Sequence, residues 1–143
     1  MPAPCEPAVR AWTRLARAHR AALATVEGRL KEAGLPPLAW YDVLLELERA
    51  GAGGIRPFEL QKAMLLAQYN LSRLIDRLEA EGYVARGPSA EDGRGQTLMI
   101  TAQGRAVRRR IWPVYAAAIE EAVGARLSSR EAATLGDLLE KLY

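Results

Sequence analysis

From residue 7 to residue 33, Val9, Trp12, Leu15, Ala16, His19, Leu23, Val26 and Leu30 recur at spacings of three or four. That spacing predicts one long helix with a single apolar stripe. Gly34 and the pair Pro36-Pro37 stop it. A second helix is expected over 38–50, with Trp40, Val43, Leu44 and Leu47 on one face and the loop GAGG (51–54) at its end. Pro57 suits a first helical position, so a short helix is expected over 57–65. The next runs over 67–81, where Leu71, Leu74, Ile75 and Leu78 form an i, i+3, i+4, i+7 set. Gly82 stands where a left-handed C-terminal cap belongs.

The period then changes. Two short extended runs, 83–87 and 96–101, flank the turn-rich PSAEDGRG (88–95), which predicts a hairpin with an exposed tip. Thr101 is placed to cap a helix over 102–126, arginine-rich at first, with Val107, Ile111, Val114, Tyr115, Ile119 and Val123 apolar. Ser128 and Glu131 have capping-box spacing for a last helix over 129–142. The expected fold is mainly α with a small β-hairpin wing, a winged helix-turn-helix with long N- and C-terminal dimerisation helices. Residues 35–101 form the winged lobe, and 1–34 with 102–143 the helical region. The terminal stripes exceed what a small winged core can cover, so a symmetric homodimer is expected.

Composition narrows the function more than the fold. The 143 residues, half hydrophobic and about a quarter charged, suit a soluble globular protein. No run approaches the roughly 18 apolar residues of a membrane span. The start, MPAPCEPAVRAW, lacks a secretory apolar stretch, so a cytoplasmic location and no membrane partner are expected. With Cys5 and His19 the sole residues of their kinds, neither an internal disulfide nor a Cys/His zinc cluster is expected. No phosphate-cradling glycine loop, nucleophile elbow or clustered acid–base set is present, so neither an enzyme nor a cofactor is expected. Net charge is +3, but residues 55–100 carry six basic and six acidic groups. Nucleic-acid binding by this middle part must therefore rest on the placement of a few arginines.

The helix over 67–81 supplies such a placement. Opposite its apolar set it presents Gln68, Tyr69, Asn70, Ser72, Arg73 and, one turn on, Arg77. Asn70 or Gln68 fits an adenine edge, and Arg73 fits guanine or phosphate. A merely solvated face has the same periodicity; the hairpin that follows favours the recognition reading. Arg94 at the hairpin tip suits a narrow minor groove, although an ordinary surface turn also tolerates arginine. Arg86 and Ser89 are further phosphate candidates. Trp12, His19, Trp40 and Trp112 are candidates for an effector pocket, with core or interface packing as the alternative for each.

The runs LSRLIDRLEAEGYVAR (71–86), PSAEDGRG (88–95) and LMITAQGR (98–105), with Leu60 before the turn, resemble the MarR family of bacterial transcription regulators. The resemblance implies a homodimer, expected to be a repressor, on a near-palindromic site in double-stranded DNA. It also implies release by a small aromatic or phenolic effector bound by the dimerisation helices and the DNA-binding lobe. It gives Arg94 the minor-groove role, pairs Asp76 with a wing arginine, and assigns Asp92 with Asp76 to wing support. The chain departs from the family at Ala67, where a capping serine is usual, at Leu65, where glycine is frequent, and at Tyr69, where a small residue is common. A shifted helix start and an unusual base preference are the expected consequences. Two alternatives stand: a winged-helix protein-interaction module without DNA binding, and a repressor sensing peroxide through Cys5.

Overall fold

The computed structural model describes residues 1–67, 70–88 and 96–143. They form two compact units, Met1–Ala33 with Val114–Tyr143, and Gly34–Pro113.

The winged unit begins with α2 (Leu38–Ala50), which follows the N-terminal helix α1 (Glu6–Glu32). The prolines before α2 and the glycines after it leave no freedom in its limits. It buries Leu38, Tyr41, Val43, Leu44 and Leu47. A 3-10 turn, Gly51–Gly53, leads to Ile55, which exchanges two backbone hydrogen bonds with Leu98 at 3.0 and 2.8 Å. Helix α3 (Pro57–Ala63) has proline in its first turn and buries Leu60. It ends before residue 65 because Met64 is already extended, with φ −63° and ψ 139°.

Helix α4 (Leu71–Ala80) starts later than the expected 67. Position 67 is alanine and offers no side-chain oxygen to an unpaired N–H, a loss of about 1 kcal/mol. What holds α4 is its buried set, Leu71, Leu74, Ile75 and Leu78. At roughly 1.5–3 kcal/mol each, these outweigh the missing cap. The C-terminus closes as a Schellman motif: the Gly82 N–H donates to Glu79 O at 2.9 Å and the Tyr83 N–H to Leu78 O at 2.9 Å. Gly82 takes φ +80°, which a residue with a Cβ rarely adopts.

Strands β1 (Val84–Pro88) and β2 (Gln96–Ile100) pair antiparallel, Val84 opposite Ile100 and Pro88 opposite Gln96. Thr101 then ties two helix ends together. Its hydroxyl donates to Gly82 O at 2.6 Å and accepts the Gly104 N–H at 3.0 Å, capping α5 (Ala102–Ile119). Residues 102–113 of α5 belong to the winged unit, not to the helical one. The reason is packing: Val107 and Ile111 are buried, Arg108 pairs with Glu48, and Trp112 stacks on Tyr41 with ring centroids 6.1 Å apart. Burial opposes the Arg108 charge, but hydrogen bonds to Glu48 and Tyr41 outweigh it and raise the guanidinium pKa.

In the helical unit, α5 gives way to a π turn at Glu120–Gly124, so it does not run to 126. Gly124 is a poor helix former at that point, and a Cβ there would lie 2.0 Å from the Glu120 carboxylate. Arg29 of α1 grips Glu121 of this turn in two places, Nε to Oε2 at 2.8 Å and Nη2 to Oε1 at 2.6 Å. Helix α6 (Ser129–Glu140) opens with the capping box: the Glu131 N–H donates to Ser128 Oγ at 3.1 Å, and the Ser128 N–H to Glu131 Oε1 at 2.9 Å. Apolar side chains remain uncovered on all three helices, among them Val9, Trp12 (69% exposed), Ile119, Leu135 and Leu138 (53%).

The ionic links of this unit imply an acid response. Hydrogen bonds from Arg29 hold the Glu121 carboxyl below the usual carboxylate range, and those from Ser128 do the same for Glu131. Depressed folded-state values contribute stability above the ordinary glutamate pKa of about 4.3, and that contribution is lost as pH falls through the folded values. Thermal melts should therefore steepen in their pH dependence below about pH 4.3. Glu121→Gln should flatten that descent; an unchanged slope would contradict the assignment.

Candidate nucleic-acid interface

Helix α4 is two-faced. Leu71, Leu74, Ile75 and Leu78 point into the core, while Ser72, Arg73, Asp76, Arg77 and Glu79 are exposed. Among the described residues, neither Arg73 nor Arg77 is drawn into a salt bridge. Asn70 occupies the N-cap position at φ −127° and ψ 57°, is exposed, and makes no capping hydrogen bond. Asn70, Ser72 and Arg73 are thus presented together from the N-terminal end of α4, with Arg77 one turn on. Gln68, Tyr69, Ser89, Asp92 and Arg94 lie outside the described residues.

Beside that face, Arg86 of β1 is held by α4 and β2. Its guanidinium pairs with Asp76, approaches Glu79 Oε1 at 3.3 Å and donates to Gln96 Oε1 at 3.2 Å. Two consequences follow. Asp76 has a partner on the first strand of the hairpin, which links helix to wing. Arg86, expected as a phosphate candidate, is paired with these side chains at the protein surface.

A residue that periodicity did not flag also bears on this face. Asp42 of α2 is buried at 5% exposure and accepts the Leu66 N–H at 3.0 Å. Leu66 lies in the bend between α3 and α4. The signal in the sequence was a carboxylate among apolar neighbours, in WYDVLL.

The four aromatic and titratable candidates do not share one environment. Trp40 meets Tyr83 edge-on with centroids 6.2 Å apart, and Trp112 stacks on Tyr41. Both contacts are packing within the winged unit. Trp12 and His19 are exposed on α1. A groove of about 320 Å³ in the helical unit is lined by Ala18, Ala22, Thr25, Val123, Arg126 and Leu135 among others, and by none of the four. Among the described residues, no group of three or more His, Cys, Asp or Glu side chains is arranged to hold a metal ion. No helix among them is long and apolar enough to cross a membrane.

Residues 33–95, which span α2 to the hairpin, match the MarR family profile. The multiple antibiotic resistance protein MarR of Escherichia coli is 31% identical over 118 residues, covering 80% of this chain and 81% of that protein. Sco3205, a MarR family transcriptional regulator from Streptomyces coelicolor solved in complex with DNA, superposes with a TM-score of 0.85 at 26% identity, over 98% of this chain and 91% of that one. A mutant MarR from Escherichia coli complexed with operator DNA gives a TM-score of 0.79 at 25% identity, over 98% and 99% of the two chains. With the two-faced α4, the helix-to-wing clasp and the capped TAQGR segment all in place, this chain belongs to the MarR family, whose members are transcription regulators and not enzymes.

Proposed function

We propose that the protein acts as a homodimeric repressor on a near-palindromic duplex site. The observation that carries this reading is the exposed edge of α4, where Asn70, Ser72, Arg73 and Arg77 stand opposite a buried apolar face. As the second helix of a helix-turn-helix followed by a hairpin, such a helix enters a major groove N-terminal end first and places its polar side chains on bases and phosphates. Gln68 and Tyr69 extend that end, and Arg94 at the hairpin tip is assigned to the adjacent minor groove, with Asp92 supporting it. Dimerisation is supported by the uncovered apolar side chains of α1, α5 and α6, since patches of this kind on a small protein mark interaction surfaces. A two-fold pair would set its recognition helices about 34 Å apart, one turn of DNA. Family membership supports release by a small aromatic or phenolic effector.

An electrophoretic shift with duplex DNA in low salt tests the reading. The wild type should shift the duplex, and Arg94→Ala should weaken the shift markedly. A wild-type chain that shifts no duplex would favour the protein-interaction module.

A further inference from the structure

The bend after α3 leads into α4, and among the described residues of this stretch no side chain caps the helix. Position 67 is alanine, and the Asn70 side chain makes no capping hydrogen bond. The Leu66 N–H is instead met from 24 residues away, by Asp42 Oδ2 at 3.0 Å. Taking a carboxylate out of water is unfavourable unless hydrogen bonds compensate it. A buried Asp42 is therefore explained by what it holds. Its base is firm: on the same helix Tyr41 stacks on Trp112, Glu48 pairs with Arg108, and Val43, Leu44 and Leu47 are fully buried.

We propose that Asp42 is a positioning residue for DNA recognition, fixing the bend at Leu66 and through it the N-terminal end of α4, without touching DNA. The proposal rests on the DNA-binding reading above. In a two-helix reading head the turn sets the angle at which the second helix enters the groove, and small displacements there move every base-contacting side chain together. Asp42 does not cap α4 itself; it ties down, from α2, the bend that leads into it. Asparagine at position 42 would keep an oxygen acceptor of the same reach; alanine would leave the Leu66 N–H without it.

The test combines DNA affinity with amide exchange, using the full chain as wild type, Asp42→Ala and Asp42→Asn. The duplex is one enriched by the wild type from a random pool. Asp42→Ala should lose roughly tenfold or more in affinity at fixed salt. Its Leu66 amide should exchange at the rate of an exposed amide, while the amides of β2 and α5 keep their protection. Asp42→Asn should recover most of both losses. Uniform loss of protection with affinity unchanged for the folded fraction would overturn the role, leaving Asp42 as ordinary core. Should Asp42→Ala fail to fold, the other two chains still decide: a Leu66 amide that exchanges freely in the wild type, or Asp42→Asn losing as much affinity as a truncation, overturns it. A wild type that binds no duplex overturns the DNA-binding reading and this role with it; intact binding with an unprotected Leu66 overturns this role alone.

Discussion

Arg73→Ala is expected to weaken operator binding by roughly 30-fold or more. A guanidinium that takes a guanine edge in two places discriminates by about 1–3 kcal/mol, and in a dimer the truncation acts on both half-sites. Arg73 is exposed, lies in the first turn of α4, and is not in a salt bridge among the described residues, so its charge is available to a ligand. The kind of interaction is readable from the same variant. If Arg73 reads a base, specificity relaxes at one position in each half-site while the salt dependence changes little. If it takes phosphate, affinity falls evenly across sequences, and the slope of log affinity against log salt drops by roughly 0.9 for each phosphate no longer neutralised. Arg14→Ala on α1 is the control. It removes the same charge from an exposed site outside the reading head, so it should leave affinity within about twofold if placement and not bulk charge governs binding. Equal losses in both variants would mean a nonspecific electrostatic surface.

Gly104→Ala should be the most damaging small substitution in the winged unit. A Cβ at this position would stand 2.3 Å from the Tyr83 carbonyl oxygen and 2.8 Å from the Ile100 side chain. The carbonyl belongs to the backbone and cannot turn aside. It accepts the Thr101 N–H at 3.1 Å, so a shift of Tyr83 also disturbs the cap that joins α4, β2 and α5. The cost is expected to be about 3 kcal/mol, which for a chain of this size lowers the melting temperature by roughly 6–12 °C. Gly28→Ala is the contrast. Nothing lies within 4 Å of a Cβ at this position of α1, and its backbone is helical, so alanine should stabilise by about 0.5–1 kcal/mol. Calorimetry on the two variants separates a glycine kept for close approach from one that is merely tolerated. A harmless Gly104→Ala would mean that the TAQGR segment does not hold wing and helix together.

What could be seen in the sequence, and what could not, follows from the range of the forces involved. Helix α2 matched its expected limits at Leu38 and Ala50 because prolines and glycines act on their own neighbours. The capping box at Ser128 and the cap at Gly82 are equally local, each closed within a few residues. The apolar face of α4 was legible as a period, and its four members are all buried. The start of α4 was not, because no local capping side chain marks it and the bend before it is tied at Leu66 to Asp42 on another helix, a pairing with no sequence spacing to announce it. Arg86 shows the same limit from the other side. Its type suggests phosphate, and strand register also sets it beside Asp76, Glu79 and Gln96, a pairing the sequence alone does not announce. Trp40 and Trp112 are pocket candidates in the sequence. Their rings pack on Tyr83 and Tyr41, which only the pairing of elements could reveal.

Selection of bound sequences from a random duplex pool tests the central claim most directly. Two copies of α4, related by a two-fold axis and about 34 Å apart, should enrich an inverted repeat whose half-site centres lie roughly 10 base pairs apart. Enrichment of a single asymmetric site, or no enrichment over the input pool in low salt, would contradict it.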